Sequence, residues 1–138
     1  MSVLVATEDR TERTLIAEVL AARRALGKVL FAEDGVEAYL HARRHLPELA
    51  IVSAGLARID GIVLVRTLVR SPAFRSRTLL ILGDGCHVRV REALDARPSG
   101  ILVRPFDAAT LVKRLEEILG LAEKPVPEPV RAPVAPAS

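Results

Sequence analysis

The sequence predicts an α/β protein: a five-stranded parallel sheet, doubly wound by helices in a (βα)5 order. Two observations carry this. Five apolar runs of four or five residues recur through residues 1–120, and amphipathic segments with apolar residues at helical spacing lie between them. Each run is apolar almost throughout, as expected of strands covered on both faces. Alternating strands and helices supply the crossovers that a parallel sheet needs, and these should be right-handed.

The first strand is VLVAT (3–7). A helix is expected from Thr11 to Ala25, with Leu15, Ile16, Val19 and Leu20 on one face, and Gly27 stops it. KVLFA (28–32) is the second strand. Val36, Tyr39 and Leu40 mark a second helix that runs to Leu46, with Pro47 beyond it. LAIVS (49–53) is the third strand, and Ile62, Val65 and Val69 mark a third helix ended by Ser71-Pro72. TLLIL (78–82) precedes a Gly-Asp-Gly turn and a helix over roughly 87–96, closed by Pro98. GILV (100–103) is the fifth strand. Leu111, Val112, Leu115, Ile118 and Leu119 form the stripe of the last helix.

Residues 1–120 therefore read as one domain. Residues 121–138 are a different material: they hold five of the nine prolines with Ala, Val and Glu and have no periodicity. Proline fixes φ and removes donors, so a disordered tail or a semi-rigid linker is expected. A frayed end and a tether to a further domain are equally compatible with it.

Composition narrows the function. Half the residues are hydrophobic but only 3% are aromatic, with no Trp, so the core must be Leu, Val, Ile and Ala. A net charge of +3 is only mildly basic, and the scarcity of aromatics removes base-stacking platforms. Nucleic-acid binding through this domain is not expected. The lone Cys86 excludes an intrachain disulfide and C-x-x-C metal sites. The run in MSVLVATEDR is too short for a signal peptide, and no stretch approaches a membrane span. A cytoplasmic protein is expected.

In a parallel sheet the carboxyl ends of the strands share one edge, where ligands and chemistry gather. The sequence sends Glu8-Asp9, Ser53, Gly83-Asp84 and Arg104 to that edge. Each has a plain alternative: Asp9 a helix cap, Glu8 an exposed acid, Gly83 a flexible turn. No Gly-Lys-Ser/Thr follows the Gly-Asp-Gly turn, so it is no phosphate loop. Cys86 reads as an inert small residue, and Arg89, Arg91 and HARRH (41–45) as solvated helix faces.

The spacing carries a resemblance. ATED after VLV, EDGVEA (33–38), IVSAGLARIDG (51–61) and SGILVRPFDAATL (99–111) together resemble the receiver domain of two-component response regulators, a flavodoxin-like fold, over about residues 2–120. The most specific segment is RPFDAATL, which stands where receivers carry Lys-Pro-Phe after the fifth strand.

The resemblance implies a domain that takes a phosphoryl group from a histidine kinase onto an Asp at the end of the third strand. An acidic pair helps to hold Mg²⁺; Glu8 and Asp9 match it. The phosphoacceptor position falls on Ser53. The hydroxyl and aromatic switch positions fall on Gly83 and Ile101, and the lysine position on Arg104, before Pro105. The corresponding Lys-Pro bond of receivers is commonly cis.

Four of these positions are altered, with chemical consequences. A carboxylate is anionic at neutral pH, whereas a serine hydroxyl needs an adjacent base. Of His41, His45 and His87, only His87 could approach, from the loop after the fourth strand. Loss of the acceptor carboxylate should leave Mg²⁺ weak or absent, and no other cofactor is expected. The always-charged Arg104 should pair with Glu8 or Asp9 and take the metal's electrostatic place.

The expected function is a phosphorylation-independent pseudo-receiver, a protein-interaction module and not an enzyme. The alternatives are phosphorylation at a non-standard acceptor such as Ser53, or a regulatory domain binding a small ligand or nucleic acid. The resemblance places a protein partner, or a homodimer contact, on the fourth helix, fifth strand and fifth helix. Arg89, Arg91, Lys113, Arg114 and Glu117 are the exposed candidates there, and their basic balance suggests an acidic partner.

Overall fold

Five β/α units follow one another in the computed structural model, which describes residues 2–23, 27–74, 76–83 and 89–120. The order is β1 (Ser2–Ala6), α1 (Arg10–Ala21), β2 (Lys28–Ala32), α2 (Gly35–His45), β3 (Leu49–Ser53), α3 (Gly61–Arg70), β4 (Arg77–Leu82), α4 (Val90–Asp95), β5 (Gly100–Val103) and α5 (Ala108–Leu119). The strands form one parallel sheet in the order β2-β1-β3-β4-β5. The chain reverses direction across the sheet between β1 and β3, so their carboxyl ends flank a crevice.

Alternation along the strands divides the core. Leu4, Ala50, Val52, Leu80 and Leu82 face α2, α3 and α4, where Ala38, Ala42, Leu64, Leu68 and Ala93 meet them. Val3, Val5, Ile51, Leu79 and Ile81 face α1 and α5 through Ile16, Leu20, Leu111 and Leu115. Most of these side chains are fully buried, each contributing roughly 1.5–3 kcal/mol for the larger ones.

Four helices begin at an aspartate whose carboxylate accepts from the first turn: Asp9, Asp34, Asp60 and Asp107. Such caps are worth about 1 kcal/mol each. Gly120 ends α5 in the left-handed conformation.

Helix edges and faces differ from expectation in places. Helix α4 is only Val90–Asp95, and Gly85, Cys86 and His87 lie outside the described residues, as do Ala25 and the 121–138 tail. Leu40 and Val69, expected on buried stripes, are 57% and 39% exposed. On α2 the buried residues are Gly35, Ala38 and Ala42, and Leu40 falls on the opposite side of the helix. Among the described residues, no helix is long and apolar enough to cross a membrane.

Candidate functional site

Ser53 ends β3 with its side chain wholly buried. Its parity matches Leu49 and Ile51, so it points toward α1 and α5. Arg104, one residue past β5, lies on the same side, in register with Leu102. The two meet: Arg104 Nη2 donates to Ser53 Oγ at 2.9 Å.

The same guanidinium makes a fork with Glu12 on α1. Nε reaches Oε2 at 2.5 Å and Nη2 reaches Oε1 at 2.7 Å. Glu12 is only 7% exposed, and the Thr7 hydroxyl donates to its Oε1 at 2.8 Å. Both carboxylate oxygens are thus satisfied by charge-assisted or hydroxyl donors, which a buried carboxylate requires. The Glu12 hydrogen bond, opposed by burial and aided by the charges of Glu12, Glu8 and Asp9, holds the Arg104 pKa above its ordinary value.

This corrects the expected pairing of Arg104 with Glu8 or Asp9. Asp9 caps α1 by accepting from the Glu12 backbone N–H at 3.1 Å, and it is exposed. Glu8 is also exposed, with Oε2 lying 3.5 Å from where a Cβ on Gly55 would sit. Neither carboxylate forms an ion pair with Arg104, whereas Glu12, in the first turn of α1, does. Sequence reading missed Glu12. A signal was present in the Asp9-x-x-Glu12 spacing of a capping box, but that pattern turns the glutamate back to the helix start, not inward to an arginine.

Of the two switch-equivalent positions, Gly83 adjoins Arg104 and Ile101 lies on the opposite face of the sheet. Arg104 Nη1 lies 3.6 Å from the position of a Cβ on Gly83, so a side chain there would touch the guanidinium. Ile101 is half-buried against the α2–α4 side of the core. The Arg104–Pro105 peptide bond is cis, as the resemblance implied. Asp84 lies outside the described residues.

The Asp-Gly pair at 60–61 has a structural cause. Asp60 Oδ2 accepts from Ile62 N–H at 3.0 Å and caps α3. A Cβ on Gly61 would overlap the Ser53 carbonyl, so α3 starts directly against the end of β3. The pair at 34–35 repeats the arrangement, with Gly35 against the Ile59 carbonyl.

Arg89 is not the solvated side chain expected. It is half-buried, with Nη2 2.7 Å from Asp60 Oδ2 and Nε 3.0 Å from Glu92. Burial pushes the Asp60 carboxyl up, but the Arg89 hydrogen bond and charge, with the Val63 and Ile62 N–H groups, bring it below its usual range. Arg91 is exposed as expected; Arg114 is half-buried, donating to the Ile101 carbonyl at 3.2 Å.

The fold and the crevice together define a class, and comparison with known families agrees: the chain belongs to the response regulator receiver domain family, whose model matches residues 3–116. It is a receiver domain of two-component signalling. Among curated proteins it is similar to chemotaxis protein CheY1 of Helicobacter pylori, 31% identical over 123 residues, covering 87% of this chain and 98% of the relative. The chemotaxis protein CheY homolog of Campylobacter jejuni is 28% identical over 122 residues, covering 87% and 93%. Two solved structures share the fold: chemotaxis response regulator CheY4 of Vibrio cholerae (TM-score 0.75, 22% identity, 85% of this chain and 97% of that one) and the receiver domain of NtrX from Brucella abortus (0.75, 22%, 86% and 98%).

Proposed function

We propose that this domain is a pseudo-receiver: it signals through protein contacts without phosphorylation at the end of β3. One observation carries the reading. Where a phosphoacceptor would need a free carboxylate, the Ser53 hydroxyl is buried and accepts from a guanidinium that is itself clamped to Glu12. A hydroxyl so placed has no described base to take its proton, since its partner is a cation.

The metal that the family implies does not suit these residues. Among the described residues no third carboxylate joins Glu8 and Asp9, and the positive charge of Arg104 lies near them. Among the described residues, no group of three or more His, Cys, Asp or Glu side chains is arranged to hold an ion. Mg²⁺ binding at the rim is therefore weak or absent in this reading, because Mg²⁺ gains affinity from clustered oxygen ligands.

The partner face is assigned to α4, β5 and α5. Support comes from the side chains exposed there: Leu94 and Val103, 59% and 53% exposed, beside the exposed Arg91 and Lys113. Exposed apolar side chains among charges of both signs, Arg91 and Lys113 with Glu92, Asp95 and Glu117, suit a protein surface or a second copy of the domain. The role is that of an interaction module, not an enzyme.

Incubation with acetyl phosphate and Mg²⁺, followed by intact-mass measurement, tests the reading. No added phosphoryl group is expected. A phosphoryl adduct that disappears in Ser53→Ala would overturn it.

A further inference from the structure

The HARRH segment on α2 plays no part in the crevice. His41 and His45 lie one helical turn apart, and side chains at this spacing share a face. Their ring centroids are 5.9 Å apart, with planes inclined at 38°. Both are half-buried. Glu37, a further turn back, brings Oε2 to 3.9 Å from His41 Nε2.

We propose that His41 and His45 form a two-imidazole site for a borderline divalent transition metal ion, such as Zn²⁺, Ni²⁺ or Cu²⁺. Two imidazoles bound to one ion at about 2.0–2.1 Å have ring centroids roughly 5 Å apart. The observed 5.9 Å is therefore within a small side-chain rotation of chelation. Imidazole nitrogen favours these ions over Mg²⁺ or Ca²⁺, which take oxygen ligands. Glu37 adds a negative charge that attracts a cation and offsets the Lys28 and Arg44 charges facing His45. Only two protein ligands come from this face, so water fills the remaining positions. The site is independent of the rim and of the pseudo-receiver reading.

Titration calorimetry of the tag-free chain with NiCl₂ or ZnCl₂, in a non-chelating buffer, tests it. One ion per chain is expected, with binding unchanged by excess Mg²⁺. His41→Ala and His45→Ala should each weaken binding by about tenfold or more, while His87→Ala leaves it as it was. Both residues are half-buried, and circular dichroism checks that the variants fold. Absence of binding by the unmodified chain, full binding by either α2 variant, or loss on His87→Ala would each overturn the proposal.

Discussion

Arg104 sets the character of the crevice through its shape as much as its charge. A planar fork can satisfy both oxygens of Glu12 and still have a donor for Ser53, which a lysine ammonium cannot do with the same geometry. Arg104→Met would leave the Glu12 carboxylate buried with only the Thr7 hydroxyl. Loss of one partner of such a pair costs about 3–5 kcal/mol, and urea denaturation should show it. Adding Glu12→Leu removes the stranded charge, so the double variant should recover much of that loss. Equal instability of single and double variants would mean that the guanidinium matters for packing instead. The partner acid was not legible from sequence, because Glu8, Asp9 and Glu12 are all near the end of β1 and only the direction of α1 chooses among them.

The α3 start illustrates what an element boundary demands. Asp60 caps the helix, Gly61 allows it to sit on the Ser53 carbonyl, and Arg89 joins the cap to the beginning of α4. Gly61→Ala should be strongly destabilising in thermal unfolding, since the new methyl group meets backbone that has nowhere to move. Gly55→Ala, whose Cβ would meet only the Glu8 side chain at 3.5 Å, should be close to neutral. Asp60 also has a pH signature. Its folded pKa is depressed, so its contribution is present in full above the ordinary carboxylate value of about 4 and fades as pH falls through the folded value. Asp60→Asn keeps a capping side chain but loses this charge. Its stability should fall less steeply than that of the parent between about pH 5 and 3, as measured by denaturation at each pH.

Over the whole molecule, ion pairs link the loops at the carboxyl edge of the sheet. Arg13 meets Glu33 at 3.6 Å, Arg58 meets Asp34 at 3.6 Å, Arg89 meets Asp60, and Arg104 meets Glu12. Each joins a different pair of β/α units. Their worth is unequal: Glu33 is 71% exposed and Arg58 65%, so those pairs are screened and contribute little. Glu12 is sheltered, so its pair with Arg104 is screened far less. Raising NaCl to about 0.5 M should therefore cost the parent less than about 1 kcal/mol, and should leave the Arg104→Met deficit nearly intact. A deficit that vanished in salt would place the Arg104 pair in solvent.

The doubly wound sheet was legible because its signals are local. Five apolar runs, helical stripes and Asp-Gly starts follow from hydrophobic period and backbone chemistry, and the last strand, GILV, falls on the residues expected of it. The convergence of residues 53, 83 and 104 on one edge follows from parallel strands alone. What the tertiary structure decided are the pairings between units: Arg104 with Glu12, Arg89 with Asp60, and Gly61 against Ser53. These depend on distances of a few ångströms between segments far apart in the chain. Helix packing on the sheet sets those distances, and no spacing along the sequence records them.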